Sequence, residues 1–196
     1  MSDAPLLQIP PRSELRRRPI ETPRIWLVPL ETTDAPDFWS AVESCRAYLE
    51  PWLPWVPFQT SVTSCSQYAE ASMGDWDYGR AVRFAMRDRA SRRFLGVVSL
   101  ESMQHLHLSC DLGYWLRKDA IGRGLMTEAA GAAVSWGFRT LGAHRIRVAA
   151  ATENHASLAV IARLGFRFEG IARQAELLSG RWLDHALFGR LTTDRV

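Results

Sequence analysis

The chain has 196 residues, 47% of them hydrophobic and 23% charged, with a net charge of +3. This length and composition suit one globular domain with a substantial core, and no uninterrupted apolar run is long enough for a membrane-spanning helix. The small net charge argues against a nucleic-acid-binding protein, which the arginine run at 16–18 keeps only as a minor alternative. It suits an acidic ligand or an acidic partner.

The cysteines, histidines and prolines indicate the cellular compartment, the absence of a metal site and the nature of the N-terminal segment. Three cysteines, none in a CxxC motif, predict a reduced, cytoplasmic protein, and five scattered histidines predict no metal site. Residues 1–23 carry five of the ten prolines and predict an N-terminal leader that is extended or partly ordered. The remaining residues, 24–196, are predicted to form the domain.

Hydrophobic periodicity predicts the order of secondary structure after this leader. The predicted elements, in chain order, are a strand over 24–28, helices over 35–48 and 64–78, strands over 82–87, 94–101 and 108–116, a helix over 122–140, a strand over 145–150, a helix over 154–164, and strands over 166–172 and 182–190. This order predicts a single mixed α/β domain, in which ligands bind at strand-to-helix junctions.

Segment 112–128, LGYWLRKDAIGRGLMTE, is the most informative part of the chain. An apolar strand leads into a Gly-Arg-Gly turn at 122–124, and a helical pattern begins at Leu125. The first N–H groups of a helix lack intrahelical partners and glycine allows close approach, so the segment predicts a phosphate or pyrophosphate site, although Gly-x-Gly by itself is more often an ordinary tight turn. Thr127 occupies the place of the third glycine of a dinucleotide fingerprint, and the Gly-Lys-Ser/Thr of a P-loop is missing.

Further motifs surround this turn. They are ETPR at 21–24, PWLPW at 51–55, GYWL at 113–116, GRGLMTE at 122–128, NHAS at 154–157, LGF at 164–166, EG at 169–170 and RQAELLSG at 173–180. In order and spacing they resemble the GNAT (Gcn5-related) N-acetyltransferase superfamily, and most of all its Rim-type branch, which acetylates the N-termini of ribosomal proteins. The resemblance implies the GNAT acyl-CoA N-acyltransferase fold, an α/β fold whose mixed, mostly antiparallel sheet has a splayed pair of central strands and flanking helices.

The resemblance implies acetyl-CoA as co-substrate, with coenzyme A held by the glycine turn and no metal. The coenzyme-binding residues that it implies are Leu116, Gly122, Arg123, Gly124, Leu125, Met126, Thr127, Asn154, Ser157 and Arg163. Ile121 and Met126 depart from the usual motif, but backbone N–H donors do not depend on side-chain type. The strand ending at Leu116 is expected to pair with the pantetheine arm, and Arg163 is expected to meet the 3′-phosphate.

The resemblance also implies catalytic residues for direct attack of an amine on the thioester. Glu176 is expected to orient the ammonium or accept its proton, directly or through water, and Ser157 is expected to hydrogen-bond the departing sulfur. From the residues alone, Glu176 is better interpreted as a solvated acid near a strand end, and Ser157 and Asn154 are equally helix-capping residues. Tyr114 is a second acid candidate or a packed phenol.

The acceptor is expected to bind against aromatic side chains of Trp52, Trp55 and Tyr114, although the tryptophan loop is equally a hydrophobic plug. Neutralising an α-amine at pH 7 costs about 1.4 kcal/mol and neutralising a lysine about 4.6 kcal/mol, so a modest base suits an N-terminus. The main hypothesis is therefore acetylation of a protein N-terminus. The alternatives are a small amine (an amino acid, polyamine or aminoglycoside) as acceptor, or a non-catalytic acyl-CoA-binding module. The oligomeric state stays open, a homodimer included.

Overall fold

A computed structural model describes residues 6–194 of the chain. Its α-helices are α1 (Arg12–Arg17), α2 (Ala35–Leu49), α3 (Val62–Asp77), α4 (Leu125–Arg139) and α5 (His155–Arg163). Its strands are β1 (Ile20–Glu21), β2 (Ile25–Pro29), β3 (Val82–Asp88), β4 (Phe94–Gln104), β5 (Ser109–Leu116), β6 (Arg145–Ala151), β7 (Arg167–Leu178) and β8 (Arg181–Leu191). No helix among the residues described is long and apolar enough to cross a membrane.

The strands form one sheet in the order β1-β2-β3-β4-β5-β6-β8-β7. Neighbouring strands are antiparallel throughout, except for the parallel pair β5 and β6. That pair runs only from Ser109 to Asp111 on β5, after which the two strands diverge while β4 stays paired with β5 up to Leu116. The predicted mixed, mostly antiparallel sheet with a splayed central pair is therefore confirmed.

Helices cover both faces of the sheet because alternate strand residues point to opposite sides. On β5, Leu116 joins the core that includes Leu125 and Trp136 of α4. Its neighbour Trp115 joins the second core, which includes Phe38 of α2. The glycine turn and α4 thus lie on one face of the sheet, and α2 lies on the other.

The helix predicted over 122–140 begins later than expected, at Leu125. Gly122 and Gly124 have φ values of +75° and +74°, a left-handed conformation that cannot belong to a right-handed helix. The glycines therefore form a separate turn before α4, and this turn sets the direction in which the helix begins.

The last two strands are longer than predicted and form a hairpin. A register shift between Ala172 and Glu176 interrupts the pairing, and Gln174 adopts a φ of 48° within it. Pairing then resumes, with Glu176 opposite Leu183. The RQAELLSG segment is consequently part of a strand and its turn, and Glu176 sits in a defined register.

The described part of the predicted leader, residues 6–23, packs against the rest of the chain. Leu7 and Leu15 are buried in the main core, and β1 pairs with β2. The Trp76 indole donates a hydrogen bond of 2.9 Å to the Pro10 carbonyl. Residues 1–5 of the leader lie outside the described residues, and a domain boundary at residue 23 stays a prediction.

Candidate active site

A cleft of about 820 Å³ opens beside the splayed end of β5. Its walls come from the C-terminal turn of α2 and the loop after it, from β5, from the glycine turn with the start of α4, and from α5. The predicted site residues that line it are Trp52, Tyr114, Leu116, Gly122, Gly124, Leu125, Met126, Thr127, Asn154, Ser157 and Arg163. The fold therefore brings together residues from four separate motifs, together with Arg163.

The glycine turn presents free backbone donors to this cleft. The first intrahelical bond of α4 runs from the Glu128 N–H to the Gly124 carbonyl, at 3.1 Å. The N–H groups of residues 122–127 donate to no acceptor within the part of the chain that the structure describes. Unpaired donors at a helix N-terminus, with the positive end of the helix dipole behind them, form an anion-binding site. These residues fit the diphosphate of coenzyme A.

The cleft side of β5 also offers backbone hydrogen-bonding groups. The Arg117 N–H donates to the Leu95 carbonyl on the β4 side at 2.8 Å. Peptide groups alternate in direction along a strand, so those of Tyr114 and Leu116 point away from β4, into the gap left by β6. An extended, amide-bearing chain fits this edge in the manner of an added strand.

Tyr114 and Ser157 form a hydrogen-bonded pair across the cleft. The Tyr114 phenol oxygen lies 2.8 Å from the Ser157 hydroxyl oxygen, and the phenol also donates to the Ser157 carbonyl at 3.2 Å. Burial raises the pKa of Tyr114 to about 12, with a smaller opposing effect from Ser157. The phenol therefore keeps its proton at neutral pH and can serve as a donor.

Asn154 has the capping function that its position suggests. Its side-chain oxygen accepts a 3.1 Å hydrogen bond from the Ser157 N–H and so caps α5. Because Asn154 performs the capping, the Ser157 hydroxyl is available for its contact with Tyr114. Both residues also line the cleft, so capping does not remove them from it.

Glu176 is not among the residues that line the cleft. It is half-buried on β7, and one of its carboxylate oxygens lies 3.3 Å from the His185 ring nitrogen Nε2. Residues two apart on a strand share a face, so Glu176 shares its face with Leu178. Leu178 packs with Trp52, which does line the cleft. The Glu176 side chain is therefore on the sheet face that carries Leu178, whose cluster packs against Trp52.

The two tryptophans predicted to bind an acceptor have different environments. Trp52 lines the cleft, whereas Trp55 does not. The Trp55 ring packs in the second core, with its centroid 5.9 Å from Phe38 and 5.7 Å from Trp115. Edge-to-face aromatic packing stabilises it there. Trp55 therefore packs beneath β5 and not among the residues that line the cleft, and its contact with an acceptor stays a prediction.

The two arginines predicted to bind coenzyme A also differ. Arg163 lines the cleft, and its guanidinium donates to the Ala159 carbonyl at 3.3 Å. The exposed Arg123 is not a lining residue, and its carbonyl accepts a 2.8 Å hydrogen bond from Arg24. The Arg123 side chain is therefore outside the cleft lining, and a contact of Arg123 with coenzyme A through its backbone N–H stays a prediction.

Several lining residues were not predicted from the sequence. They are Tyr48, Leu49, Leu53, Trp115, Ile121, Glu128, Ala156, Ala159 and Val160. Most are apolar residues whose helical pattern is indistinguishable from that of a core face. Glu128 gave a clearer signal, because an acid in the first turn of a helix that should bind an anion calls for a cationic partner.

The cysteines of this chain are buried, and its potential metal-ligating side chains are scattered. Burial raises the pKa of Cys65 to about 11 and that of Cys110 to about 12, so these thiols are protonated at neutral pH and poor nucleophiles. Within residues 6–194, no group of three or more His, Cys, Asp or Glu side chains could hold a metal ion. The arrangement suits direct transfer to an amine.

Comparison with known proteins agrees with this geometry. Residues 24–167 match the family of the acetyltransferase (GNAT) domain. A ribosomal protein uS5-alanine N-acetyltransferase of Escherichia coli (strain K12) is 32% identical over 152 residues, which cover 76% of this chain and 78% of that protein.

Two solved structures share the fold. The ribosomal-protein-S5-alanine acetyltransferase of Vibrio fischeri has a TM-score of 0.82 at 25% identity, covering 89% of this chain and 96% of its own. RimJ of Mycobacterium smegmatis, in complex with CoA-disulfide, has a TM-score of 0.81 at 27% identity, covering 86% and 82%. With the free N–H groups of the glycine turn beside the splayed strands, these matches establish that the chain belongs to the GNAT family and is an acetyl-CoA-dependent N-acetyltransferase.

Proposed function

We propose that the acceptor is the N-terminal α-amine of a protein such as a ribosomal protein. The observation that carries this proposal is the half-buried carboxylate of Glu176, which contacts His185 and lies on the sheet face that also holds the packing partners of Trp52. A single carboxylate suits a single ammonium group. The similarity to a uS5-alanine N-acetyltransferase supports the same class of acceptor.

The charge of the cleft favours this acceptor over a polyamine. Glu128 is the one acidic residue among those that line the cleft, and it is ion-paired with Arg24 at 2.6 Å. A polyamine carries several ammonium groups and needs several unpaired carboxylates. An N-terminal peptide carries one ammonium at the reacting end, followed by a backbone and side chains that an aromatic wall can hold.

Glu176 has a modest proton-transfer task with such an acceptor. Neutralising an α-ammonium at pH 7 costs about 1.4 kcal/mol, whereas neutralising a lysine costs about 4.6 kcal/mol. A carboxylate positions the ammonium by charge and accepts its proton directly or through a water molecule. His185, 3.3 Å from Glu176, restricts the orientation of that carboxylate.

The remaining residues position the acetyl donor, which supplies a thioester-activated acetyl group. In this proposal the N–H groups of residues 122–127 hold its diphosphate, and Arg163 meets its 3′-phosphate. The edge of β5 up to Leu116 pairs with its pantetheine arm, and the Leu116 N–H stabilises the developing oxyanion. With the Tyr114 phenol donating to the Ser157 hydroxyl oxygen, the Ser157 hydroxyl proton is free to form a hydrogen bond to the departing sulfur.

The test is mass spectrometry of an N-terminal peptide library after incubation with acetyl-CoA and the purified protein. We expect an acetyl group on the α-amine of a subset of peptides, and no acetyl group on internal lysines. A parallel assay of free thiol release presents amino acids, polyamines and aminoglycosides. Faster turnover of any of these small amines than of every peptide contradicts the proposal.

The cellular setting is part of the same proposal. The pattern of cysteines predicts an enzyme of the cytoplasm, the compartment in which nascent ribosomal proteins are found. The sequence leaves a homodimer open, and light scattering coupled to size-exclusion chromatography measures the oligomeric state directly.

A further inference from the structure

A network of hydrogen bonds ties the start of β2 to the first turn of α4. One carboxylate oxygen of Glu128 accepts from the Thr22 hydroxyl at 2.6 Å and from the Arg24 N–H at 2.9 Å. The other accepts from the Arg24 guanidinium Nε at 2.7 Å. Burial alone would raise the pKa of Glu128, but the bonds from Thr22 and Arg24 outweigh this effect and lower it. The Glu128 carboxylate is therefore negatively charged at neutral pH.

Arg24 also reaches the glycine turn itself. Its Nη1 donates to the Arg123 carbonyl at 2.8 Å, and a Cβ built on Gly124 would lie 3.6 Å from its Nη2. The Arg123 carbonyl and the Gly124 N–H belong to one planar peptide and point in opposite directions. A guanidinium that holds this carbonyl therefore holds the Gly124 N–H in the opposite direction, away from Arg24.

Glycine alone does not fix this orientation. Gly122 and Gly124 both have positive φ, and glycine reaches other regions of φ and ψ at little cost. The turn therefore needs an outside contact to select one orientation of the peptide between residues 123 and 124. Arg24 is such a contact, and Glu128 holds Arg24 in place.

We propose that Arg24, anchored by Glu128, is a positioning residue that orients the Gly124 N–H for the diphosphate of coenzyme A. This inference rests on the proposed assignment of residues 122–127 to the diphosphate. Neither side chain is required to touch the coenzyme. Arg24 acts through the peptide that follows Arg123, and Glu128 acts through Arg24.

The experiment compares coenzyme A with pantetheine, which lacks the diphosphate. Calorimetry measures the affinity for coenzyme A, and NMR titration measures the weaker affinity for pantetheine. In Arg24→Gln we expect roughly tenfold weaker binding of coenzyme A, the size of one lost charged hydrogen bond, and an unchanged affinity for pantetheine. Arg24→Lys should restore part of the affinity, because one ammonium can pair with Glu128 but cannot also reproduce the planar fork.

Glu128→Gln separates positioning from simple charge. If Glu128 only repelled the diphosphate, removing its charge would strengthen the binding of coenzyme A. If it anchors Arg24, removing its charge should weaken that binding about threefold or more, again with pantetheine unaffected. Tighter binding of coenzyme A by Glu128→Gln therefore overturns the inference.

Arg89→Gln is the matched control. Arg89 contacts the same loop, donating to the Thr22 carbonyl at 2.8 Å, but it makes no hydrogen bond to the glycine turn. We expect it to leave the affinity for coenzyme A unchanged within about twofold, since a surface contact of this kind is weak. An equal loss in Arg89→Gln, or an equal loss of pantetheine binding in Arg24→Gln, assigns the effect to the fold of the loop and overturns the inference.

These measurements distinguish a failure of this inference from a failure of the proposed function. No acceptor is present, so an error about the N-terminal substrate leaves every measurement unchanged. If the unaltered protein binds coenzyme A no better than pantetheine, the assignment of residues 122–127 to the diphosphate is wrong. If it prefers coenzyme A and Arg24→Gln keeps that preference, the positioning by Arg24 is wrong.

Discussion

The phenol oxygen of Tyr114 and the hydroxyl oxygen of Ser157 lie 2.8 Å apart, although 43 positions separate the two residues in sequence. One comes from β5 and the other from the first turn of α5, which face each other across the splayed end of the sheet. The pair gives the serine hydroxyl a fixed orientation and a buried, protonated phenol as neighbour. It makes the geometry of the cleft testable with single-atom changes.

Tyr114→Phe removes the phenol oxygen and leaves the ring. We expect kcat to fall roughly tenfold, because the Ser157 hydroxyl loses a hydrogen-bond partner worth about 1 kcal/mol or more. Ser157→Ala should lower kcat at least as much, and the double variant should be little worse than Ser157→Ala alone. Steady-state kinetics on all three proteins measure this coupling. Strictly additive losses contradict the role of the pair.

Glu176→Gln tests the carboxylate on β7. We expect the rate at neutral pH to fall by roughly 10²-fold or more, as for the loss of a general base, with unchanged affinity for coenzyme A. Glu169→Gln is the matched control on the same strand, where Glu169 pairs with Arg145 instead. The control should retain its rate. If Glu176→Gln keeps full turnover with the best peptide, Glu176 is neither base nor anchor.

Gly124→Ala tests the left-handed glycine that caps α4. A side chain at a φ of +74° costs about 1 kcal/mol of stability or more, and a Cβ there would lie 3.6 Å from Arg24 Nη2, beside the contact that holds the turn. We expect weaker binding of coenzyme A together with a lower free energy of unfolding. Gly142 has a φ of +71°, with no heavy atom within 4 Å of an added Cβ. Gly142→Ala should therefore lower the free energy of unfolding without changing the affinity for coenzyme A. Equal coenzyme affinity in both variants goes against the site.

Acid titration tests the charge of Glu128. Its pKa is lowered from 4.5 in the folded protein, so its stabilising effect is complete above that value and is lost as the pH falls through the lowered pKa. We expect the difference in free energy of unfolding between the unaltered protein and Glu128→Gln to be largest near pH 7 and to shrink below about pH 4.5. Urea unfolding at several pH values gives this difference. A difference that grows in acid contradicts the lowered pKa.

Replacing each of the two loop tryptophans separates binding from packing. Trp55→Ala removes a partly buried ring that packs against the second core and should cost about 2 kcal/mol of stability. Trp52→Ala should raise the KM for peptide acceptors while leaving the affinity for coenzyme A unchanged, because Trp52 lines the cleft on the side of β7 and β8. Peptide KM values and thermal unfolding of the two variants distinguish them. The reverse pattern would exchange the assigned roles.

Local sequence patterns predicted much of the fold. Alternating apolar residues identified the strands from β2 onward, and the Asn154 cap and the glycine after α5 placed that helix within one residue of its observed bounds. The short helix α1 and strand β1 were not predicted, because six and two residues give too little periodicity to detect. Their residues are ordered by burial of Leu7 and Leu15 against distant parts of the chain.

The sequence by itself determined the family resemblance, the class of fold and the turn that offers free N–H groups, since each depends on residues close together along the chain. Only the tertiary structure decided which side chains meet. It placed Trp52 in the cleft and packed Trp55 against the second core, and it joined Arg24 to Glu128 across 104 positions of sequence. Such contacts depend on strand register and on packing between layers, which no local pattern encodes.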